Sequence, residues 1–294
     1  MTPHATRLDA VSLAEPPHLG ERRDDVAVQR GIEVRGLTKQ FGESFLYRDF
    51  DLDLPAGQLV SIFGPNGCGK STLINMISGL VPPDAGTVLY AGRPIAQARL
   101  SYVFQNYRDA LFPWMRALGN IQYPLRLLGL DRRTRDRRVE ALLAEFDVRI
   151  DLRRYPYELS GGQQQTVSIL RALITDPEVL FLDEPFSALD YEMTLFMRER
   201  LQHVFMKRRT TMVFVSHDLE EAVQLSNRVL LLTRPPTRVA EMVPVTVPWP
   251  RDARTLSSPD FVAVKSHCLD VFSREVTRGG DSPAAAQPYD LKQE

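Results

Sequence analysis

Cysteine is nearly absent: the 294 residues hold two, Cys68 and Cys268, far apart along the chain. That excludes a disulfide scaffold and fits a reducing compartment. Also missing is any uninterrupted run of about eighteen apolar residues, so no helix is expected to cross a membrane. The first thirty residues mix Pro, Arg, Asp and Glu without an apolar stretch, and no signal peptide is expected there. An excess of one charge is lacking too. Lys and Arg number 36 against 37 Asp and Glu, a formal net charge of -1, which removes any global electrostatic reason to bind nucleic acid. No internal repeat and no long heptad run is present, which excludes solenoids and extended coiled coils.

What the chain does have is ordinary globular material, 44% hydrophobic and 25% charged, enough for one large α/β domain with a subdomain and tails. Residues 1–30 are polar and aperiodic and are expected to form a tail. From Gly31 the texture becomes globular. Four short apolar runs, Leu59–Phe63, Val179–Leu182, Thr211–Val215 and Val229–Leu232, each end in a polar or glycine-rich turn. Such runs suit strands of a parallel sheet covered on both faces. Between them, residues of about 106–160 read differently. Ile121–Leu130 is apolar and Arg132–Phe146 is a charged amphipathic stretch of helix formers, which predicts an inserted helical subdomain. Pro235–Pro236 is expected to close the core, and 237–294 to form a partly helical or loose extension with a short helix near Phe261–Phe272.

Two motifs carry chemistry. The first is Gly64-Pro65-Asn66-Gly67-Cys68-Gly69-Lys70-Ser71-Thr72, a GxxxxGK[ST] phosphate loop preceded by an apolar strand and followed by Leu73, Ile74, Met76 and Ile77 at helical spacing. Glycines let successive N–H groups turn inward onto phosphate, and the helix N-terminus adds its positive dipole end. Lys70 is expected to contact phosphate oxygens and Ser71 to ligate Mg²⁺. Cys68 reads as filler of a variable position. The second motif is the apolar strand Val179–Leu182 ending in Asp183-Glu184. Two adjacent carboxylates at a buried strand end are costly without a cation or donors. Asp183 is expected to serve the metal and Glu184 to polarise the attacking water.

A loop and an acidic strand describe a wide class of nucleotidases. Leu159-Ser160-Gly161-Gly162-Gln163-Gln164-Gln165 narrows it, because it resembles the signature of ATP-binding-cassette ATPases. Other elements of that family follow in order. Phe41 resembles the aromatic that stacks on adenine, with core packing as the alternative. Gln105 resembles the Q-loop glutamine, Ser187-Ala188-Leu189-Asp190 the D-loop, and His217 the switch histidine before Asp218-Leu219-Glu220-Glu221. The resemblance covers roughly Gly31 to Pro236. It implies a P-loop NTPase core of RecA-like α/β type with a mostly parallel sheet, an antiparallel β subdomain and an inserted helical subdomain. It also implies ATP and Mg²⁺, with Ser71, Gln105 and Asp183 near the metal. Two such subunits would sandwich ATP head to tail, Ser160 through Gln163 reaching the partner's nucleotide. Thr166 and Leu170 depart from the family, which commonly has Arg and a small residue there.

The compact stretch from Gln105 to Leu159 suits a subdomain that docks a permease, whereas a soluble cassette ATPase acting on chromosomes or ribosomes would carry long coiled coils or a second cassette. Phe104-Gln105-Asn106-Tyr107 running on to Leu111-Phe112-Pro113-Trp114 looks like motor subunits of the nitrate, sulfonate and taurine importer group. That resemblance implies separate permease subunits, a solute-binding protein, and a place at the cytoplasmic face of the membrane, with export as the alternative direction. Trp114 and its neighbours are expected to line the permease groove or to fill the core of the helical subdomain.

Overall fold

The continuous apolar runs do become the central strands, and their alternation sorts side chains onto two faces. The computed structural model describes residues 31–106, 110–187 and 189–278. The tail expected over 1–30, the chain end beyond 278, and Tyr107 and Ala188 lie outside the described residues.

In chain order the elements are β1 (Ile32–Phe41), β2 (Ser44–Leu54), β3 (Leu59–Phe63), α1 (Lys70–Ile77), β4 (Ala85–Tyr90), β5 (Arg93–Pro94), β6 (Leu100–Val103), α2 (Ala117–Leu127) and α3 (Arg132–Phe146). They continue with α4 (Gly161–Leu173), β7 (Val179–Asp183), α5 (Tyr191–Arg208), β8 (Thr211–Val215), α6 (Leu219–Leu225), β9 (Arg228–Leu232), β10 (Val239–Pro244) and α7 (Pro259–Arg278). A six-stranded sheet runs β10-β9-β3-β8-β7-β6, parallel except for β10. A four-stranded antiparallel sheet runs β2-β1-β4-β5.

Every residue of β3, β7 and β8 is buried, as a sheet covered on both faces requires. Leu180 and Leu182 of β7 and Met212 and Phe214 of β8 face one core, with α4 and α5 and the inserted α2 and α3. Val179, Phe181, Val213 and Val215 face the other, with α1 and the antiparallel sheet. Ile121 and Leu125 of α2, and Val139, Leu142 and Phe146 of α3, belong to the first core, so the helical insertion shares its hydrophobic cluster with the sheet. Thr166 and Leu170 point into that cluster region as well. Thr166 returns its hydroxyl to the Gly162 carbonyl at 2.7 Å, and Leu170 is fully buried.

The sheet does not end at Pro235–Pro236, where the sequence suggested that the core closes. β10 turns back antiparallel onto β9, pairing Val243 with Val229 and Met242 with Leu230. The helix expected near Phe261–Phe272 is longer, Pro259–Arg278, and buries Phe261, Cys268 and Val271 against α6, β9 and β10. Burial raises the Cys268 thiol to about 12, so it packs as a small apolar residue.

Arg251 locks this added layer. It is 2% exposed and has no carboxylate partner among the described residues. Instead its guanidinium donates to the carbonyls of Val223, Gln224, Ser226, Val245 and Val247 and lies 4.2 Å over the Trp249 ring. Burial lowers its pKa to about 10, which leaves it charged at neutral pH. Arg251→Met removes these donors while nearly preserving volume, and is expected to cost about 3 kcal/mol of stability, since each buried carbonyl left unpaired carries a desolvation penalty. Urea denaturation measures this, and an unchanged midpoint would mean that water replaces the guanidinium at no cost.

Candidate nucleotide site

The sequence-predicted polar residues gather at the C-terminal ends of the parallel strands, the edge where open α/β sheets place ligands. After β3 the chain turns through Gly64–Gly69 into α1. Gly67 and Gly69 take φ of 76° and 91°, a region that side chains with a Cβ avoid. At Gly69 a second constraint acts, because an added Cβ would lie 2.8 Å from Leu46 of β2. The antiparallel sheet and the β9–β10 turn brace the loop here: the Tyr47 hydroxyl donates to the Gly69 carbonyl at 3.0 Å, and the Thr237 hydroxyl donates to the Cys68 carbonyl at 2.7 Å. Cys68 is fully buried and burial raises its thiol pKa, in keeping with a packing role. Pro65 is buried, whereas Asn66 and Gly67 are exposed.

The first intrahelical bond of α1 runs from Leu73 N to Gly69 O, 2.7 Å, so the N–H groups of Lys70, Ser71 and Thr72 precede the helical ladder. Lys70 is 8% exposed and forms no ion pair among the described residues. Its ammonium folds back onto the carbonyls of Gly64 and Pro65 at 2.9 and 3.1 Å. A buried cation without an ion-pair partner, at the N-terminal start of a helix, is a site for an anion.

Asp183 closes β7 and is 7% exposed. One carboxylate oxygen accepts from the Ser71 hydroxyl at 3.3 Å and the other from the Tyr102 hydroxyl at 3.2 Å. Burial raises its pKa, and the hydrogen bonds from Tyr102 and Ser71 oppose that rise. The Tyr102 proton is shared with Asn75, whose side-chain oxygen is 2.8 Å away. Hydroxyl and carboxylate side by side form a hard-oxygen donor set that fits Mg²⁺, and a carboxylate disfavoured by burial gains from a cation. No cluster of three His, Cys, Asp or Glu suited to a metal exists among the described residues, so acidic side chains alone would not complete a coordination shell there.

Glu184 follows in the left-handed region, φ 44°, its N–H bonded to the Val215 carbonyl at 3.0 Å. One of its oxygens accepts from Gln105 Nε2 at 2.8 Å and lies 3.3 Å from His217 Nδ1. Two residues far apart in sequence, from the ends of β6 and β8, thus converge on a single oxygen of Glu184 at the end of β7. The loop that carries His217 is held from beneath. Arg198 of α5, 6% exposed, reaches Glu221 at 2.6 Å and Gln224 at 3.2 Å, and Glu221 accepts from Ser216 at 2.6 Å.

The other predicted residues lie apart from this cluster. Phe41, at the end of β1, is 58% exposed, which excludes the core-packing alternative. Ser160 caps α4: its hydroxyl accepts from Gln163 N at 3.3 Å, and Gln163 Oε1 accepts from Ser160 N at 3.1 Å. Gly161 follows at the first turn of that helix. Gly162 packs closely within the chain itself: an added Cβ would lie 2.4 Å from the Met193 side chain, which would have to shift. Asp190 caps α5 by accepting from Met193 N at 2.8 Å. Among the described residues no hydrogen bond joins Ser160–Gln163 or Asp190 to the phosphate loop. Trp114 is 70% exposed beside Phe112, so it does not fill the core of the helical subdomain, while Leu111 does.

Sequence reading missed Tyr102, Asn75, Tyr47, Arg198 and Glu221. Tyr102 sits on an edge strand and Asn75 inside a helix, where nothing in spacing connects either with Asp183.

Known proteins share this chain's sequence pattern and fold. Residues 47–187 match the model of the ABC transporter family. The aliphatic sulfonates import ATP-binding protein of Rhodopseudomonas palustris is 37% identical over 252 residues, covering 85% of this chain and 84% of that protein. Its Bacillus subtilis namesake is 34% identical over 251 residues, covering 85% and 95%. A solved dimeric, post-hydrolysis state of an ATP-binding cassette bound to ADP and Pi superposes with a TM-score of 0.64 at 27% identity, covering 73% of this chain and 98% of that one.

Proposed function

This chain belongs to the ABC transporter family and is one of its ATPases, working on ATP with Mg²⁺, and from that premise we propose that it is the motor of an importer, paired head to tail with a second such subunit and docked on a separate permease. The observation that carries the reading is the convergence of Gln105 and His217 on one oxygen of Glu184, next to the Asp183–Ser71 pair and the unpaired Lys70 ammonium.

Each residue has a task on this reading. Lys70 and the N–H groups at the start of α1 hold the phosphate chain of the substrate. Ser71, Asp183 and Gln105 would hold the metal, which when bound neutralises charge on the phosphate oxygens. Glu184 orients a water and accepts its proton, while Gln105 and His217 fix the carboxylate. His217 also offers its other ring nitrogen toward phosphate. Phe41 stacks on the base. Phe41→Ala is expected to weaken ATP binding about tenfold, the worth of one base–aromatic stack, and to leave pyrophosphate binding unchanged. Titration of both ligands tests this, and equal losses would refute stacking.

Ser160 through Gln163 act on the nucleotide of the partner subunit. The 13-residue helix α4 presents its N-terminus there, and the internal capping of Ser160 leaves it out of its own phosphate loop. The dimeric form of the similar cassette supports the same arrangement. Exposed Trp114 and Phe104 are suited to receive an apolar segment of a permease. No helix among the described residues is long and apolar enough to cross a membrane, so attachment to its cytoplasmic face would run through that permease. The sulfonate-import relatives support uptake of a small solute of the nitrate, sulfonate or taurine kind, with a solute-binding protein on the far side.

Affinity purification of the full chain from its host in mild detergent tests the proposal. A co-purifying multi-span protein is expected, together with a binding protein if transport is inward. Recovery of soluble or nucleic-acid-bound partners alone would overturn the transporter reading and leave the ATPase intact.

A further inference from the structure

One buried side chain near the site is unexplained by the roles above. Gln165 of α4 is fully buried, and its Nε2 donates to the Pro185 carbonyl at 2.6 Å. Its Oε1 is buried without any hydrogen-bond partner. An apolar side chain of the same shape would avoid the cost of that orphaned oxygen, so packing does not account for an amide at this position.

The bond it does make is informative. Pro185 directly follows Glu184, whose backbone lies in the left-handed region that residues with a Cβ disfavour. Such a conformation persists only where its surroundings dictate it. Three contacts do so. The sheet holds the Glu184 N–H through the Val215 carbonyl, Ser187 holds the Glu184 carbonyl from its N–H at 3.2 Å and its hydroxyl at 3.0 Å, and Gln165 holds the next peptide from α4. Pro185 has no N–H, so its peptide offers the turn only the carbonyl that Gln165 takes.

We infer that Gln165 is a positioning residue for Glu184, its buried amide fastening the Glu184–Pro185 turn to α4 so that the carboxylate stays where Gln105 and His217 meet it. The inference rests on the reading that Glu184 polarises the attacking water. It ties α4, which begins at Ser160, to the acidic end of β7 within one chain. A shift of the helix against its partner's nucleotide therefore moves the Pro185 carbonyl, and with it the carboxylate.

The test uses the full-length chain and steady-state ATP hydrolysis. Gln165→Met nearly keeps the volume and removes the donor together with the orphaned oxygen. It is expected to lower kcat about 10- to 100-fold, the scale on which small misplacements of a reacting group act. KM for ATP and equilibrium ATP binding are expected to stay at their unmodified values, and the melting temperature is expected to shift only slightly, because removing the orphaned oxygen offsets the freed Pro185 carbonyl. In a Glu184→Gln background the same substitution is expected to produce no further loss, because the group it positions is already gone. Gln165→Asn keeps the amide but retracts it by one methylene and is expected to show the same kcat-only loss, which guards against a Met variant that fails to fold. An unchanged kcat in both variants, or a loss that tracks the melting temperature and nucleotide affinity, would overturn the inference. A fully active Glu184→Gln would instead remove the reading beneath it, and so tells the two failures apart.

Discussion

Glu184→Gln is expected to lower steady-state ATP hydrolysis by about 10²–10⁴-fold, the usual worth of a general base, while leaving ATP affinity intact. The two side chains have the same shape, so Gln105 and His217 keep a neighbouring oxygen or amide to contact and the turn after β7 need not move. What is lost is the charge that draws a proton from water. Lys70, Ser71 and Asp183 contact neither of the exchanged atoms among the described hydrogen bonds, so the groups expected to hold the phosphates and, with Gln105, the metal stay in the chain. With binding retained and cleavage stopped, the variant should accumulate as an ATP-bound dimer, visible as a shift in size-exclusion chromatography when ATP is added. A variant that hydrolyses ATP at the unmodified rate would sink the role given to Glu184. Loss of binding along with turnover would mean that the carboxylate holds the nucleotide rather than the water.

Lys70→Ala is expected to act on the other side of the reaction. The ammonium is nearly buried and forms no ion pair among the described residues, so on binding nucleotide it is expected to exchange two loop carbonyls for phosphate oxygens. A charge-assisted hydrogen bond of that kind is worth about 1.5–3 kcal/mol, and its loss should raise Kd for ATP about 10- to 100-fold. The effect should extend to ADP and pyrophosphate, since the contact is to phosphate and not to base. In this it is the converse of Phe41→Ala. Calorimetric titration with the three ligands checks it, and an unchanged Kd for pyrophosphate would show that Lys70 serves only to staple Gly64 and Pro65. The variant also deletes those two staples. A denaturation midpoint measured beside the titration therefore separates a loosened loop from a lost ligand contact.

These expectations differ in how much of each was legible in the linear chain. The loop from Gly64 to Thr72 announces itself because its function is local: consecutive backbone N–H groups must turn onto one anion, and only a fixed spacing of glycines ahead of a helix does that. The apolar runs were equally plain, because a parallel strand buried on both faces has nowhere to put a polar side chain. Asp183 and Glu184 could be singled out for the same reason, as carboxylates where a buried strand ends.

Contacts that join distant segments were another matter. The Tyr102 hydroxyl links Asn75 to Asp183 across α1, β6 and β7, and the chain separations involved leave no periodic trace. Arg198 and Glu221 lie beneath His217 as a buried pair on two helices, each of which reads singly as an ordinary charged residue. β10 was hidden because Pro235–Pro236 looked like an ending, yet the chain doubles back beyond it to pair with β9, and pairing partners are a property of the sheet. The closeness of Gly162 to the Met193 side chain, between α4 and α5, likewise left no trace in spacing.

By itself, then, the sequence determined the local devices: the phosphate loop, the buried strands with their acidic end, the cap of α4, and the family to which they point. Only the tertiary structure decided which oxygen of Glu184 receives Gln105 and His217, what clamps the switch loop, and that Gln165 reaches Pro185. The reason is physical. Glycine spacing, capping and strand burial act between neighbours along the chain, whereas the orientation of the Glu184 carboxylate is set by side chains that folding brings from two separate segments.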